Sequence, residues 1–521
     1  MRNARLRIVF VVMASLPAVV SLAARTRYET SIRANDAAQE LRIQRVEEDF
    51  PKVALGANEP PLELSLRKAM EIYKVPGVSV AVIDNYKIAW AKAYGVTEAG
   101  GTTRVTTHTL FQAGSISKPV AATGALAMVE RGKLSLDEDV NRKLVSWKVP
   151  ENEFTKDQKV TLRRLMSHSG GLTVHGFPGY AAGEPIPTVV QVLNGEKPAN
   201  TDPVRVFFVP GTKSVYSGGG ITIEQLLMQD VSGKPFPALM QELVLGPIGM
   251  TDSTYEQPLP PDRVASAASG TYQNGKVVPG KRHVYPEMAA AGLWTTPTDL
   301  AKFAIEIGLS RQGKANRVLS QATVQQMLTP QIDTVGLGFF MDDAKNPTWF
   351  GHGGADEGFQ AQLVMFLEGG QGAAVMADSD NGIQVANLLI GSIAKEYAWK
   401  KDPFPLSANE TVTLVENARG TKAALEEYAS LKSTRPSEID ENTLNILGYE
   451  LLRADRIDDA ILVFKRNVEE YPKSWNPYDS LGEGYMRAGK KELAVQNYEK
   501  SVELNPKNQN GVNMLKKLKQ P

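Results

Sequence analysis

The 521-residue chain is long enough for about three average domains, and apolar residues make up 42% of it, which is enough for at least one large core. Its 58 Lys and Arg residues balance 58 Asp and Glu residues, so no net positive charge attracts nucleic acid or anionic lipid. Cysteine is absent, which excludes thiol nucleophiles, disulfides and thiolate metal sites. The composition predicts a globular protein without a nucleic-acid partner.

The amino terminus has the pattern of a secretory signal. Three arginines precede an apolar run over 8–24, and Ser21 and Ala23 are small residues of the kind that signal peptidase requires. We predict a signal peptide over 1–24, a lead segment over 25–60 and a secreted or periplasmic protein, with a retained amino-terminal anchor as the alternative. No later run approaches ~18 consecutive apolar residues, so no membrane span is expected beyond the signal.

The span 61–400 alternates apolar strands, Gly/Pro turns and amphipathic helices, which is typical of an enzyme domain built from both helices and strands. Residues 78–83 and 87–94 predict a hairpin of β-branched and aromatic strands around a tight turn. Residues 358–366 and 372–376 predict a second hairpin late in the span. Strands at both ends predict one sheet that is built from both termini of this domain.

A linker is predicted over 401–415, and the remaining residues, 416–521, repeat themselves. The repeat has a period of 34, because Leu447-Gly448, Ala460, Phe464 and Pro472 recur as Leu481-Gly482, Ala494, Tyr498 and Pro506. This period resembles that of the tetratricopeptide repeat, in which small residues let two antiparallel helices approach. The stretch 424–436 is interpreted as a degenerate third unit or as a cap. The tail is predicted to stabilise the molecule, or else to bind a protein partner.

The strongest local chemical signal is Ser115 followed by Lys118 three residues later. On a helix these positions share one face, so the ammonium can reach the hydroxyl, which is a poor nucleophile until a base accepts its proton. The helical spacing over 119–131 places Ser115 at a helix start, where free amides and the helix dipole favour an oxyanion. Taken alone, the pattern also fits an ordinary helix cap beside a solvated lysine.

Five further segments accompany this pair in a fixed order. They are 160–172, 210–220, 245–254, 291–300 and 349–355. Together with 111–118 they resemble the serine hydrolases related to class C β-lactamases, D,D-peptidases and family VIII esterases, over about 62–399. The resemblance implies an α+β, β-lactamase/transpeptidase-like fold, an antiparallel sheet flanked by helices plus a helical domain, which the all-α tail follows.

The resemblance makes Ser115 the nucleophile and Lys118 its proton acceptor or electrostatic partner. It makes Tyr216 the proton shuttle between Ser115 and the leaving group. A phenol is a weak acid, so near neutral pH Tyr216 can lose its proton and act as a base only if a neighbouring ammonium, such as that of Lys118, lowers its pKa. The two residues must therefore work as a unit. Gln112, in the segment of the nucleophile, is assigned by the same resemblance to substrate binding.

The third motif of the family is Lys-Thr-Gly, and this chain has His352, Gly353 and Gly354 in its place. The resemblance implies that the backbone amides of Ser115 and Ala355 form the oxyanion hole. A neutral imidazole at pH 7 lacks the positive charge with which the lysine of that motif binds a β-lactam carboxylate. This departure favours esters or peptides as substrates over efficient penicillin hydrolysis.

The second motif also departs from the family, because Gly218 stands where β-lactamases have the asparagine of Tyr-x-Asn. We expect Gly218 to leave a wider, less polar substrate site for a bulkier acyl group. Of the other histidines, His168 is expected to satisfy a turn near the site and His175 to line its entrance. His108 and His283 are expected at the surface or in structural roles.

No metal or other cofactor is predicted, because no His-Glu-x-x-His or close cluster of ligands occurs in the sequence. Asp356 and Glu357, beside the third motif, are interpreted as turn residues and strand-edge charges. The sequence predicts a serine hydrolase that forms an acyl-enzyme with a small-molecule or peptide substrate. The alternative is a catalytically weak, penicillin-binding-like or partner-binding module that uses its helical repeats.

Overall fold

The computed structural model describes residues 37–50 and 60–520 of the chain. The predicted signal over 1–24 lies outside these residues, as does most of the lead segment. The strands are β1 (Gly77–Asp84), β2 (Lys87–Gly95), β3 (Phe111–Gln112), β4 (Trp294–Thr295), β5 (Phe340–Met341), β6 (Trp349–Asp356), β7 (Phe359–Phe366) and β8 (Gly372–Ala377). Within the described residues no helix is long and apolar enough to cross a membrane.

One six-stranded antiparallel sheet organises residues 61–400, the predicted enzyme domain, which is called the catalytic region below; the strand order is β2-β1-β8-β7-β6-β5. Both predicted hairpins are confirmed: β1 pairs with β2 and β7 pairs with β8. The turn of the first hairpin uses Asn85 and Tyr86, both at positive φ (51° and 58°), the conformation that matches the twist of two strands joined by two residues. Because β1 also pairs with β8, the two ends of the region meet in one sheet.

Helices cover both faces of this sheet. Before the tail they are α1 (37–48), α2 (Leu66–Tyr73), α3 (Ser117–Glu130), α4 (Leu162–Met166), α5 (Val189–Asn194), α6 (Gly218–Ser232), α7 (Phe236–Met240), α8 (Gly246–Ile248), α9 (Met288–Ala291), α10 (Pro297–Arg311), α11 (Gln321–Met327) and α12 (Gly382–Glu396). The side chains of β1 alternate between two cores. Val78, Val80 and Val82 pack towards α2 and α12, whereas Ala81 and Ile83 pack into the larger core on the other face.

The helical domain lies on the side of the larger core. Its central helices, α3 and α6, are buried along nearly their whole length and pack against α9. Such helices have no solvent-facing stripe and act as fixed supports for the side chains at their ends. The predicted arrangement of an antiparallel sheet flanked by helices, with an added helical domain, is confirmed.

The tail consists of antiparallel helix pairs, as its 34-residue spacing predicts. Its helices are α13 (Ala408–Arg419), α14 (Thr421–Thr434), α15 (Glu441–Arg453), α16 (Ile457–Glu470), α17 (Asn476–Arg487), α18 (Lys491–Leu504) and α19 (Gln509–Leu518). A methyl group on Gly448 would lie 2.2 Å from the Phe464 ring, and one on Gly482 would lie 3.1 Å from the Tyr498 ring. The small residue of each unit therefore permits the close approach of its two helices, as expected.

The tail is joined firmly to the catalytic region. Helix α13 begins at Ala408, inside the range predicted as linker, and its Leu414 belongs to the core beneath α2 and α12. The preceding segment is held by an ion pair between Lys401 and Asp342, where the bonds to Asp342 hold the pKa of its carboxyl far below its usual range. The tetratricopeptide character of the tail stays a prediction.

Candidate active site

Ser115 lies in a tight turn that leads into α3. The turn is one of 3-10 helix, Gly114–Ile116, and Gly114 adopts φ 50°, which a residue without a side chain tolerates best. Ser117 fixes the turn from below, because its hydroxyl donates to the Gly114 carbonyl (2.6 Å) and accepts from the Leu293 amide (3.0 Å). The hydroxyl of Ser115 is therefore carried on a backbone that is held at both ends, and its side chain is only half-buried.

Lys118 lies one turn further along, and its side chain is almost fully buried. Its ammonium nitrogen donates to the hydroxyl oxygen of Ser115 (2.8 Å) and to the backbone carbonyl of Ala290 (2.7 Å). The predicted contact between the two side chains is thus present in the structure. The carbonyl of Ala290, at the end of α9, was not anticipated from the sequence, since no side-chain pattern marks a backbone acceptor.

Tyr216 approaches the same ammonium from a third direction. The ammonium nitrogen of Lys118 lies 5.0 Å from the centre of the Tyr216 ring. On its other side the Tyr216 ring packs on the His168 ring, with 4.4 Å between centroids, and more loosely on the Phe340 ring. The structure therefore brings together Ser115, Lys118 and Tyr216, three residues that two distant segments of the chain supply.

The third motif forms the wall opposite α3. His352, Gly353, Gly354 and Ala355 lie on β6, and β5 pairs with β6 only at positions 350 and 351, so the later half of the strand is left open on that side. A methyl group built on Gly114 would lie 2.4 Å from the backbone nitrogen of Ala355. Strand β6 thus packs directly against the turn that carries the candidate nucleophile. The backbone amide of Ala355 therefore lies beside this turn.

His352 is buried and uncharged. Its Nδ1 lies 2.5 Å from the Gly353 carbonyl, which can only accept, so Nδ1 carries the proton, while Nε2 is buried without a partner among the described residues. Burial, together with the nearby charge of Lys118, lowers the pKa of His352 to about 3. His352 therefore supplies no positive charge to the site near neutral pH.

Gly218 does not leave open space, so the expectation of a wider site there is wrong. Gly218 is the first residue of α6, and a methyl group built on it would lie 2.8 Å from Cε2 of Phe177 and 3.2 Å from the His175 carbonyl. The aromatic ring fills the volume that a side chain at 218 would occupy. The expectation that this wall is less polar is consistent with the structure.

Two buried acids lie behind the site. The interpretation of Asp356 as a strand-edge charge is wrong, because its carboxyl is buried at the end of β6, and in the described part of the chain no side chain bonds to it. Glu287, just before α9, is likewise buried, and neither of its oxygens has a hydrogen-bond partner within 37–50 and 60–520. Burial raises the pKa of Glu287 to about 8 and that of Asp356 well above its usual range. A sequence pattern gives no sign of such burial.

The other residues named from the sequence fall around this centre. The side chain of Gln112 is buried on β3, where its Nε2 donates to the His283 carbonyl (2.9 Å). His168 satisfies a turn as expected: it adopts φ 52°, and its Nδ1 accepts from the Ser217 amide. His108 is exposed and bonded to Asp252 at the surface.

Comparison with known proteins places this geometry in a family. Residues 62–397 match the profile of the family described as Beta-lactamase. The chain is 28% identical over 298 residues to a protein named beta-lactamase from Lysobacter lactamgenus, covering 56% of this chain and 68% of that protein. It is 27% identical over 256 residues to a protein named unguisins hydrolase from Aspergillus violaceofuscus, covering 44% of this chain and 41% of that protein.

A solved structure supports the fold. The octameric penicillin-binding protein homologue from Pyrococcus abyssi superposes with a TM-score of 0.55 at 22% identity, covering 67% of this chain and 79% of that one. The matched stretch spans less than half of the Aspergillus hydrolase's length. The similarity covers the catalytic region, to which the six sequence blocks belong.

Proposed function

We propose that this chain, which belongs to the beta-lactamase family, is a serine hydrolase whose covalent acyl-enzyme forms on Ser115. The observation that carries the proposal is the 2.8 Å contact between the ammonium of Lys118 and the half-buried hydroxyl of Ser115. The same ammonium lies against the Tyr216 ring. A nucleophile in contact with a group that can take or steer its proton is what acyl transfer requires.

In the proposed cycle the hydroxyl oxygen of Ser115 attacks the carbonyl carbon of the substrate. Its proton passes to the unit formed by Lys118 and Tyr216, and the amides of Ser115 and Ala355 hold the oxyanion. The bond to the leaving group then breaks, and Tyr216 donates a proton to the departing atom. Water, deprotonated by the same unit, hydrolyses the acyl-enzyme and restores the serine.

We propose esters or D-amino-acid peptides as substrates, ahead of β-lactams. The motif that holds a fixed ammonium in β-lactamases carries the neutral His352 here. The position of the acylamide-binding asparagine is Gly218, backed by an aromatic ring. Neither position offers the charge or the hydrogen bonds that would select a penicillin.

Labelling with a fluorophosphonate tests the chemistry. We expect covalent mass on Ser115 in the full chain and none in Ser115→Ala. Ser214→Ala is the matched control, since its hydroxyl lies in the same region but bonds to Asp333. If the wild-type chain takes up neither this probe nor any other acylating agent, the acyl-enzyme is ruled out, and the alternative of a partner-binding module on the helical tail takes its place.

The predicted signal over 1–24 leads us to propose that the reaction takes place outside the cytoplasm. Expression of the full chain in a bacterium with two membranes tests this. We expect a periplasmic product whose mass has fallen by that of the signal peptide, with cleavage at the small residues that end it. A full-mass product in the membrane fraction would instead indicate a retained anchor, and a full-mass cytoplasmic product would contradict export.

A further inference from the structure

A loop over residues 173–180, here called the strap, connects the segment that carries Tyr216 with the segment beside Gln112. At its beginning the backbone amides of Gly218 and Gly219 donate to the carbonyls of His175 and Val174 (3.0 Å each). The Nδ1 of His175 also lies 2.5 Å from the Tyr216 carbonyl. The strap is therefore fastened to the segment that carries Tyr216.

The far end of the strap is fastened on the side of Gln112. Nδ1 of His283 lies 2.8 Å from the Pro178 carbonyl, and Nε2 of Gln112 donates to the carbonyl of the same histidine. Tyr180 forms two backbone hydrogen bonds with Val284. With both ends tied to site segments, the strap has a fixed position.

Phe177 is the large apolar side chain at the centre of the strap. Its ring is half-buried and packs against the main core, and its Cε2 would lie 2.8 Å from a methyl group built on Gly218. The carbonyl of His175 beside it is already bonded to the Gly218 amide. Val174, a β-branched residue, is held at φ 63°, a conformation that persists only when surrounding contacts enforce it.

We propose that Phe177 determines the acyl specificity of the site: its ring replaces a side chain at position 218 with an apolar wall, which selects acyl groups that carry an alkyl or aryl chain beside the carbonyl. The proposal rests on the proposed function. An amide-bearing acyl group set against this wall would lose water without gaining a partner. An alkyl or aryl group would gain from the same burial.

Two p-nitrophenyl esters test this acyl preference in the full chain. One is p-nitrophenyl phenylacetate, and the other is the p-nitrophenyl ester of N-acetylglycine. We expect the wild type to favour the phenylacetate in kcat/KM. Phe177→Ala lowers that preference about tenfold, because one apolar contact in a pocket contributes roughly this much discrimination. Phe207→Ala, at an exposed aromatic outside the strap, leaves the preference unchanged.

A double substitution separates the contact from general damage. Gly218→Asn alone collides with the Phe177 ring, so we expect it to lose about tenfold or more of phenylacetate turnover. Phe177→Ala combined with Gly218→Asn removes the collision, recovers turnover, and shifts the preference towards the N-acetylglycine ester. Such non-additivity is expected of groups in contact and is absent between distant, independent sites.

Melting temperature and fluorophosphonate labelling of every variant report whether it is folded and active. A preference that is the same in wild type and Phe177→Ala, with both labelled on Ser115, would overturn the specificity role while leaving the hydrolase intact. A wild type that takes no label and turns over no ester would remove the proposed function, and this inference with it. A double variant no better than Gly218→Asn would show that the ring is not the obstacle.

Discussion

In the catalytic region, Glu224 and Glu287 are buried and none of their carboxyl oxygens has a hydrogen-bond partner among the described residues. In the tail, the buried carboxylate of Glu416 pairs with Arg456, and that of Asp479 accepts from Asn508 (2.6 Å). The catalytic region pairs other buried acids, such as Asp299 with Lys302, but it leaves these two carboxyls without partners, whereas both of these tail acids have one. Burial without a partner favours the protonated form of a carboxyl, and it raises the pKa of Glu224 and of Glu287 to about 8.

The difference follows from how each region is assembled. Tail contacts join helices that are neighbours in sequence, so a repeating pattern can carry the partner of each buried group. The candidate active site joins α3, the segment before α6, α9 and β6, which lie far apart in the chain. There the surroundings of a side chain are set by long-range packing, and the neutral His352 and the unpaired carboxyl of Asp356 both lie within electrostatic reach of the Lys118 ammonium.

Removal of that ammonium should have the largest effect. Lys118→Met is expected to lower kcat/KM for ester hydrolysis by about 10³, since it deletes the group in contact with the nucleophile. Lys213→Met, at an exposed lysine that lies over the Phe208 ring, is the control and should leave the rate unchanged. A Lys118→Met enzyme with near wild-type turnover would contradict the idea of a site assembled around this charge.

The unpaired acids predict an unusual dependence of stability on pH. Burial raises the pKa of Glu224 to about 8 in the folded chain, whereas in the unfolded chain it titrates near 4.5. The folded state therefore holds a proton that the unfolded state releases, and the free energy of unfolding falls as pH rises between these values. Glu224→Gln keeps the shape of the neutral carboxyl but cannot titrate. Between pH 5 and pH 8 we therefore expect the free energy of unfolding to fall by on the order of 3 kcal/mol less in this variant than in the wild type.

Urea denaturation at the two pH values measures the effect of Glu224→Gln. The exposed tail substitution Glu426→Gln is the control, with an expected change below about 0.5 kcal/mol at either pH. Equal stability losses in wild type and Glu224→Gln would mean that this carboxyl does not hold its proton in the folded chain. The proposed difference between the unpaired Glu224 and the paired acids of the tail would then not hold.

Tyr216→Phe should have the next largest effect, a fall of about 10² in the rate of acylation, because the ring still packs on His168 but can no longer transfer a proton. Pre-steady-state burst measurements with a p-nitrophenyl ester isolate this step. Tyr478→Phe, which removes a hydroxyl on the tail, is the control. If both variants acylate at the wild-type rate, the phenol of Tyr216 has no part in proton transfer.

The smallest expected effects are in the tail. Gly448→Ala would place a methyl group 2.2 Å from the Phe464 ring, so we expect a loss of about 1–3 kcal/mol. Gly482→Ala, the same repeat position with 3.1 Å of space, should be near neutral, because the better helix propensity of alanine offsets the tight contact. Hydrogen exchange of the tail helices measures both, and ester turnover should stay unchanged. Equal effects would show that the two units pack alike.

The sequence by itself determined the local features. The hairpins, the helix after Ser115, the contact of Ser115 with Lys118 and the helix pairs of the tail all follow from spacings of a few residues or from a repeat of 34. The order of six blocks was enough to indicate the family. Periodicity and turn chemistry act over short distances, and the printed sequence records them directly.

Only the tertiary structure decided what surrounds the site. The ring of Phe177 beside Gly218, the carbonyl of Ala290 on Lys118, and the burial of His352 and Asp356 all depend on segments that meet across long stretches of chain. Burial and the direction of a side chain are properties of the packed whole, and no short pattern encodes them. Burial and side-chain direction determine which groups of the site are charged and which wall is apolar. They therefore determine which substrates the site can bind.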